Sequence, residues 1–260
     1  MPVLVAVIAA AGVAFGVVEA TESLGDPGPA APSQVASPFT FAPAAPPSPS
    51  LSPSSPAPTP SVPAPPTTPP VPLPASDSLA LLASIPSDDG VAGSPYDRDL
   101  FGESWTDVDR NGCDTRNDVL GRDLLDPVFK PGTRDCKVLS GLLVDPYDGA
   151  AVSFVSGTDT SRLVQIDHVV ALSWAWQHGA WSWTDEQRLA FANDPANLVA
   201  ASEDTNRAKS DAGPGEWLPP AAELQCGYVE QFVSVVSGYG LGISDPDRSA
   251  AEAVLTTCVV

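Results

Sequence analysis

Three short pieces decide the reading of this chain: Ile166-Asp167-His168-Val169-Val170, Asn197-Leu198-Val199-Ala200 and Asn206-Arg207-Ala208-Lys209-Ser210-Asp211. Arg162–Ile166 reads as a short strand running into Asp167 and His168, Asn197–Ala201 is β-like, and Glu203–Ser210 is helical. Neighbouring side chains of an extended chain point to opposite faces, so Asp167 and His168 can serve different partners from one strand end. The three pieces supply a carboxylate beside an imidazole, then two carboxamides nine residues apart, with cations just behind the second.

Outward from this segment the pattern is α+β. Asn117–Leu125 carries Val119, Leu120, Leu124 and Leu125 at helical spacing. Lys137–Val144 and Ala150–Val155 read as a hairpin across the turn Asp145-Pro-Tyr-Asp-Gly149. Leu172–Gln177 is helical, and Thr184-Asp-Glu-Gln187 is a capping box opening a helix to Asn193, before Pro195. Ala221–Val236 and Asp245–Cys258 form a C-terminal helical pair, with Pro246 in the first turn of the second.

Upstream the composition changes. Of 30 prolines, 21 fall between Asp26 and Tyr96, interleaved with Ala, Ser and Thr. Such a stretch has too little apolar surface to offset ordering entropy, so residues 26–95 are expected to be an extended spacer. Residues 1–25 hold an uncharged apolar run, Val3–Val18, followed by Val18-Glu19-Ala20 with small residues for cleavage. This is either a signal peptide, the preferred reading, or a membrane anchor, although the run is preceded by neither Lys nor Arg. Residues 96–260 are then the folded domain, secreted or held at the cell surface.

All four cysteines, Cys113, Cys136, Cys226 and Cys258, lie in that domain. None forms a C-x-x-C pair, which argues against a zinc ribbon, and an even count fits two disulfides in an exported chain. Of the three connectivities, pairing of nearest neighbours, Cys113–Cys136 and Cys226–Cys258, is preferred.

The net charge is −20, and from Tyr96 onward 12 Lys and Arg face 26 Asp and Glu. A general DNA binder presents a basic face. Any nucleic-acid contact here must be local, through a few clustered cations and a bound ion. Asp107-Val-Asp109-Arg-Asn111-Gly112 matches the opening of an EF-hand loop, but Asp114 and Asp118 stand where an apolar residue and the bidentate Glu belong. An Asx-rich turn leading to Cys113 is preferred over a calcium loop. The crowded Trp174, Trp176, Trp181 and Trp183 read as core packing rather than base stacking.

Phosphodiester hydrolysis needs a base for water, a Lewis acid on the phosphate, and something to hold the base. His168 titrates near neutrality and suits the base. Asp167 and Asn206 offer hard oxygens for one Mg²⁺ or Mn²⁺, and Asn197 can fix the backbone near His168. Arg207 and Lys209 are candidate phosphate contacts, and Arg116 either joins them or pairs with a neighbouring acid.

The order strand–His, strand–Asn, helix–Asn resembles the HNH, or ββα-metal (His-Me finger), endonucleases in the form whose last His is Asn. Asn206-Arg-Ala-Lys-Ser-Asp211 and its nine-residue step from Asn197 are similar to the HNH domain of the RNA-guided CRISPR effector nuclease. Cys113-Asp-Thr-Arg116, Asp145-Pro-Tyr-Asp-Gly149, Ile166-Asp-His168 and Glu216-Trp-Leu-Pro-Pro220 resemble a secreted bacterial branch related to the C-terminal nuclease half of the GmrSD type IV restriction enzymes. The resemblance implies a ββα-metal core with a flanking hairpin and C-terminal helical pair. It also implies a metal-dependent DNA endonuclease in which His168 is the general base, Asp167 and Asn206 hold the ion, and Asn197 orients the base. The 29-residue step from His168 to Asn197 is longer than a minimal motif and implies an inserted helical arm. Asn in the last ligand position favours Mg²⁺ or Mn²⁺ over zinc. The acidic balance keeps a second reading open: a disulfide-stapled extracellular binding module without turnover.

Overall fold

The computed structural model describes residues 74–258. The expected signal or anchor segment, and the expected spacer as far as residue 73, lie outside the described residues. Among those described, no helix is long and apolar enough to cross a membrane.

The fold is α+β. Its elements run α1 (Ala75–Ser84), α2 (Thr115–Asp123), β1 (Leu124–Phe129), β2 (Val138–Val144), β3 (Ala151–Val155), β4 (Val164–His168), α3 (Leu172–Gln177), α4 (Asp185–Ala192), β5 (Leu198–Ser202), α5 (Glu203–Lys209), α6 (Gln225–Gly238) and α7 (Asp245–Cys258). There are two antiparallel sheets, β1-β2-β3 and β4-β5. In the smaller sheet Asp167 stands opposite Val199 and His168 opposite Leu198. Ser202 ends β5 and caps α5 at once, its hydroxyl accepting from Thr205 N, so strand passes to helix without a loop.

The β4–β5 pair lies between two hydrophobic cores. Val164, Ile166, Leu198 and Ala200 pack with Val119, Leu120, Leu143 and Phe154 on the side of α2 and the larger sheet. Val169, Val170 and Ala201 instead join the larger core, with Trp174, Trp176, Phe191 and Phe232. Trp174 and Trp176 are thus core residues, whereas Trp181 is exposed. The capping box of Thr184 and Gln187 forms and opens α4. Cys113 pairs with Cys136 and Cys226 with Cys258, the second bond tying α6 to α7. A Cβ at Gly213 would overlap Asp247 and Trp174; only glycine lets the chain after α5 pass so close to the start of α7.

Two expectations are corrected. The folded body begins at Ala75, not Tyr96: α1 packs on α6 and α7, with Leu82 3% exposed and Ile85 5%. Arg248 of α7 donates to the carbonyls of Leu82 and Ile85, and Ser87 bridges Ile243. The apolar run Leu79–Leu82 satisfies a helix face, but it is embedded in proline-rich sequence that averages it away. The helix expected to reach Leu125 stops at Asp123, because Leu124 and Leu125 pair with Leu143 and Leu142 as β1. Pro127 cannot continue a helix, and Asp126 before it turns to φ 49°.

Truncating a buried leucine costs about 2–5 kcal/mol, whereas a spacer residue would cost nothing. Leu82→Ala should therefore lower the unfolding free energy of the full chain by an amount in that range, read from its denaturant melt by circular dichroism.

Candidate active site

His168 closes β4 with its side chain buried. Its Nε2 lies 2.8 Å from the carbonyl oxygen of Ala192, at the end of α4. A carbonyl only accepts, so Nε2 carries the ring proton and Nδ1 holds the lone pair. Burial lowers the imidazole pKa to about 4, the Ala192 bond opposing that shift and the charges of Arg98 and Lys209 adding to it. His168 is therefore a neutral base at pH 7.

Asn197 holds the strand end in place. Its Oδ1 accepts from Val170 N at 2.8 Å and its Nδ2 donates to Val170 O at 3.1 Å, while its own carbonyl accepts from Val169 N. Fully buried and bonded at both ends, this amide fixes the backbone just past His168.

Asp167 is also buried, and its carboxylate meets three contacts. Tyr147 Oη donates to Oδ2 at 2.6 Å, and the Lys209 ammonium lies 3.0 Å from Oδ2 and 3.2 Å from Oδ1. Lys209 also donates to the His168 carbonyl at 2.8 Å. Burial pushes the Asp167 carboxyl upward against the pull of Lys209 and Tyr147. Lys209, expected at a phosphate, is 0% exposed. It sits on the last turn of α5 facing β4, and its charge is used inside the protein. Arg207 is exposed on α5 and pairs with Glu203 one turn earlier.

Asn206 is half-buried on the same helix, its Nδ2 donating to Gln165 Oε1 at 2.6 Å. That bond leaves Oδ1 as the acceptor. Asn206, Gln165, Asp167 and His168 line one open cleft of about 510 Å³, together with Arg116 and Asp211. Arg116 donates through one nitrogen to the carbonyls of Ser161 and Val164 rather than pairing with a neighbouring acid. Asp211 accepts from Ser173 Oγ at 2.8 Å.

Among the described residues no three of His, Cys, Asp and Glu are grouped to hold a metal. Any ion in this cleft has to take amide and water oxygens as well. Tyr147, Lys209 and the His168 backbone take up most of the Asp167 carboxylate, so Asn206 Oδ1 and water would supply much of an ion's shell; these oxygens, free of thiolate, fit Mg²⁺ or Mn²⁺ in kind.

Tyr147 and Asp145 come from a stretch the sequence pattern shows only as a turn. Asp145 accepts from Ser202 N and Thr205 Oγ1, which anchors the β5–α5 junction to that turn. Burial pushes its carboxyl up, but bonds from Thr205, Ser202 and Tyr147 prevail and hold it below the usual range. His178 is remote from this chemistry, stacked on Trp174 in the larger core. In the Asp107–Asp118 loop the carboxylates of Asp107, Asp109 and Asp118 accept from the backbone or side chain of Asn111, and Asp107 also from Gly112 N.

Comparison with known proteins gives two matches. The family described as GmrSD restriction endonucleases, C-terminal domain, matches residues 114–243. An uncharacterized secreted protein of Arthroderma benhamiae is 38% identical over 186 residues, covering 71% of this chain and 86% of the relative. The relative is fungal, so a bacterial origin for the branch rests on the resemblance alone. No solved structure matches.

Two measurements check this geometry. Breaking a buried ion pair from one side costs about 3–5 kcal/mol, so Lys209→Met should destabilise the fold by that order in urea melts. An NMR titration should find the His168 ring neutral at pH 6, with a midpoint near 4. Because the unfolded imidazole protonates near 6.5, the unfolded state binds more protons between those two values. The His168 contribution to stability is then constant above 6.5 and turns unfavourable as pH falls towards 4.

Proposed function

The chain belongs to the family of the GmrSD restriction endonuclease C-terminal domain, and on that premise we propose that it is a metal-dependent endonuclease hydrolysing DNA phosphodiester bonds outside the cytoplasm. The observation that carries the reading is the neutral His168, proton on Nε2 and lone pair on Nδ1, in one cleft with Asp167, Asn206 and Arg116. The order β4, β5, α5 around these residues supports a ββα-metal core.

His168 Nδ1 takes the proton of the attacking water, and the Ala192 carbonyl, bonded to Nε2–H, steadies the imidazolium that forms. Asn197 keeps the ring in place through the Val169–Val170 backbone. Asp167 and Asn206 would hold one Mg²⁺ or Mn²⁺. When bound, that ion supplies Lewis-acid stabilisation of the scissile phosphate and the leaving oxygen. Lys209 and Tyr147 oppose the upward push of burial on Asp167 and so favour its ionised form. Arg116 offers its remaining guanidinium nitrogens to a phosphate oxygen. Export is supported by the apolar run Val3–Val18, by two disulfides and by the relative named as secreted. Residues 1–25 serve in this reading as signal peptide or anchor.

The acidic balance supports a second reading, a stapled binding module that keeps the fold without turnover. Plasmid nicking separates the two. The oxidised full chain should nick supercoiled DNA with Mg²⁺ or Mn²⁺ and stop with EDTA. His168→Ala should lower the rate by about 10²–10⁴-fold, the usual share of a general base. DNA affinity that follows salt but ignores metal and His168 would select the binding module instead.

A further inference from the structure

The cleft extends well past the groups used above. Tyr96, Arg98 and Trp105 line it beside His168 and Arg116, and all three lie upstream of the residues the family match covers. Trp105 and Arg98 also line a narrower pocket that reaches His168 and Ala192.

This upstream segment is firmly seated. Phe101 is 1% exposed and packs against Trp176 and Phe191. Tyr96 packs on both Phe101 and Trp176. The Leu100 carbonyl accepts from Arg188, and Thr115 bonds the carbonyls of Trp105 and Thr106. Trp105 is held with φ at 65°, a conformation an aromatic residue adopts only when its surroundings impose it. Trp105 is half-buried against the smaller hydrophobic core and also borders the cleft. Arg98 is exposed on the same wall.

An aromatic face, a phenol and a guanidinium on one wall match the three parts of a nucleotide: the base, the sugar edge and the phosphate. Bases inside a duplex are stacked on one another and cannot lie on a protein ring. The chain's acidic balance gives little general attraction to a phosphate backbone, so stacking has to supply what charge does not. The volume lies within the range of small-ligand sites, about 300–1,000 Å³.

We propose that Trp105, Tyr96 and Arg98 form a subsite for one unstacked nucleotide next to the attacked phosphate, which makes a single strand or a locally melted duplex the preferred substrate. Trp105 stacks on the base and Arg98 contacts the adjoining phosphate. The proposal rests on the nuclease reading for what happens at the neighbouring phosphate, but the subsite itself is measurable without turnover.

The test is fluorescence anisotropy of the full chain with a labelled single-stranded 12-mer and its duplex, in EDTA. Single strand should bind more tightly than duplex. Trp105→Ala should weaken single-strand binding by about tenfold, the scale of one base–aromatic stack, with Trp105→Phe retaining most of it. Arg98→Gln, at an exposed position that does not endanger folding, should weaken binding and flatten its salt dependence. Binding that depends on Trp105, from a chain that does not nick plasmid DNA when Mg²⁺ or Mn²⁺ is supplied, would sustain the subsite and remove the nuclease reading. Duplex bound as well as single strand, or unchanged single-strand affinity in folded Trp105→Ala and Arg98→Gln, would overturn the subsite whether or not the wild type cleaves.

Discussion

The ion pair between Lys209 and Asp167 is the constraint the site depends on. Both groups are buried, 3.0 Å apart, and join the end of α5 to the end of β4. Neither charge is tolerable there alone. Helix and strand must therefore dock in one register, which also places Asn206, one turn back on α5, at the cleft. The same ammonium bonds the His168 carbonyl, so the residue that pairs with Asp167 also fixes the backbone of His168.

Around this pair, buried polar groups are satisfied by specific protein partners. Asp145 binds the β5–α5 junction, Asn197 the backbone after His168, and Tyr147 the acid itself. Such a network is rigid when complete and costly when broken. It also bears on how a chain with so many carboxylates could admit the anionic substrate proposed above. The central acid is neutralised internally, leaving Arg98 and Arg116 facing the cleft without a lysine spent at its surface.

Much of this was legible from residue order. Strand His168, strand Asn197 and helix Asn206 mark the site because their spacing places them in elements that pair locally, and the capping box of α4 and the helical pair α6–α7 are local signals too. What was hidden depends on distance along the chain. Lys209 looks like a phosphate ligand because helical periodicity does not say which face meets β4. Tyr147 sits in a turn motif, and turn chemistry explains its neighbours without it. Leu79–Leu82 forms a helix face inside a proline-rich stretch, and β1 begins with leucines that fit a helix until Pro127 forbids one. Arg98 and Trp105 carry no motif at all; only packing through Phe101 brings them to the cleft.

The claim at the centre is that β4, β5 and α5 bring one buried carboxylate and one amide oxygen to a single hard-cation site beside a neutral imidazole. Crystals of the oxidised chain soaked in Mn²⁺, with anomalous difference density, test it most directly. The account predicts one strong peak within inner-sphere distance, about 2.0–2.3 Å, of Asn206 Oδ1 and an Asp167 oxygen. A cleft without density, with manganese found only at the Asp107–Asp118 loop, would contradict it.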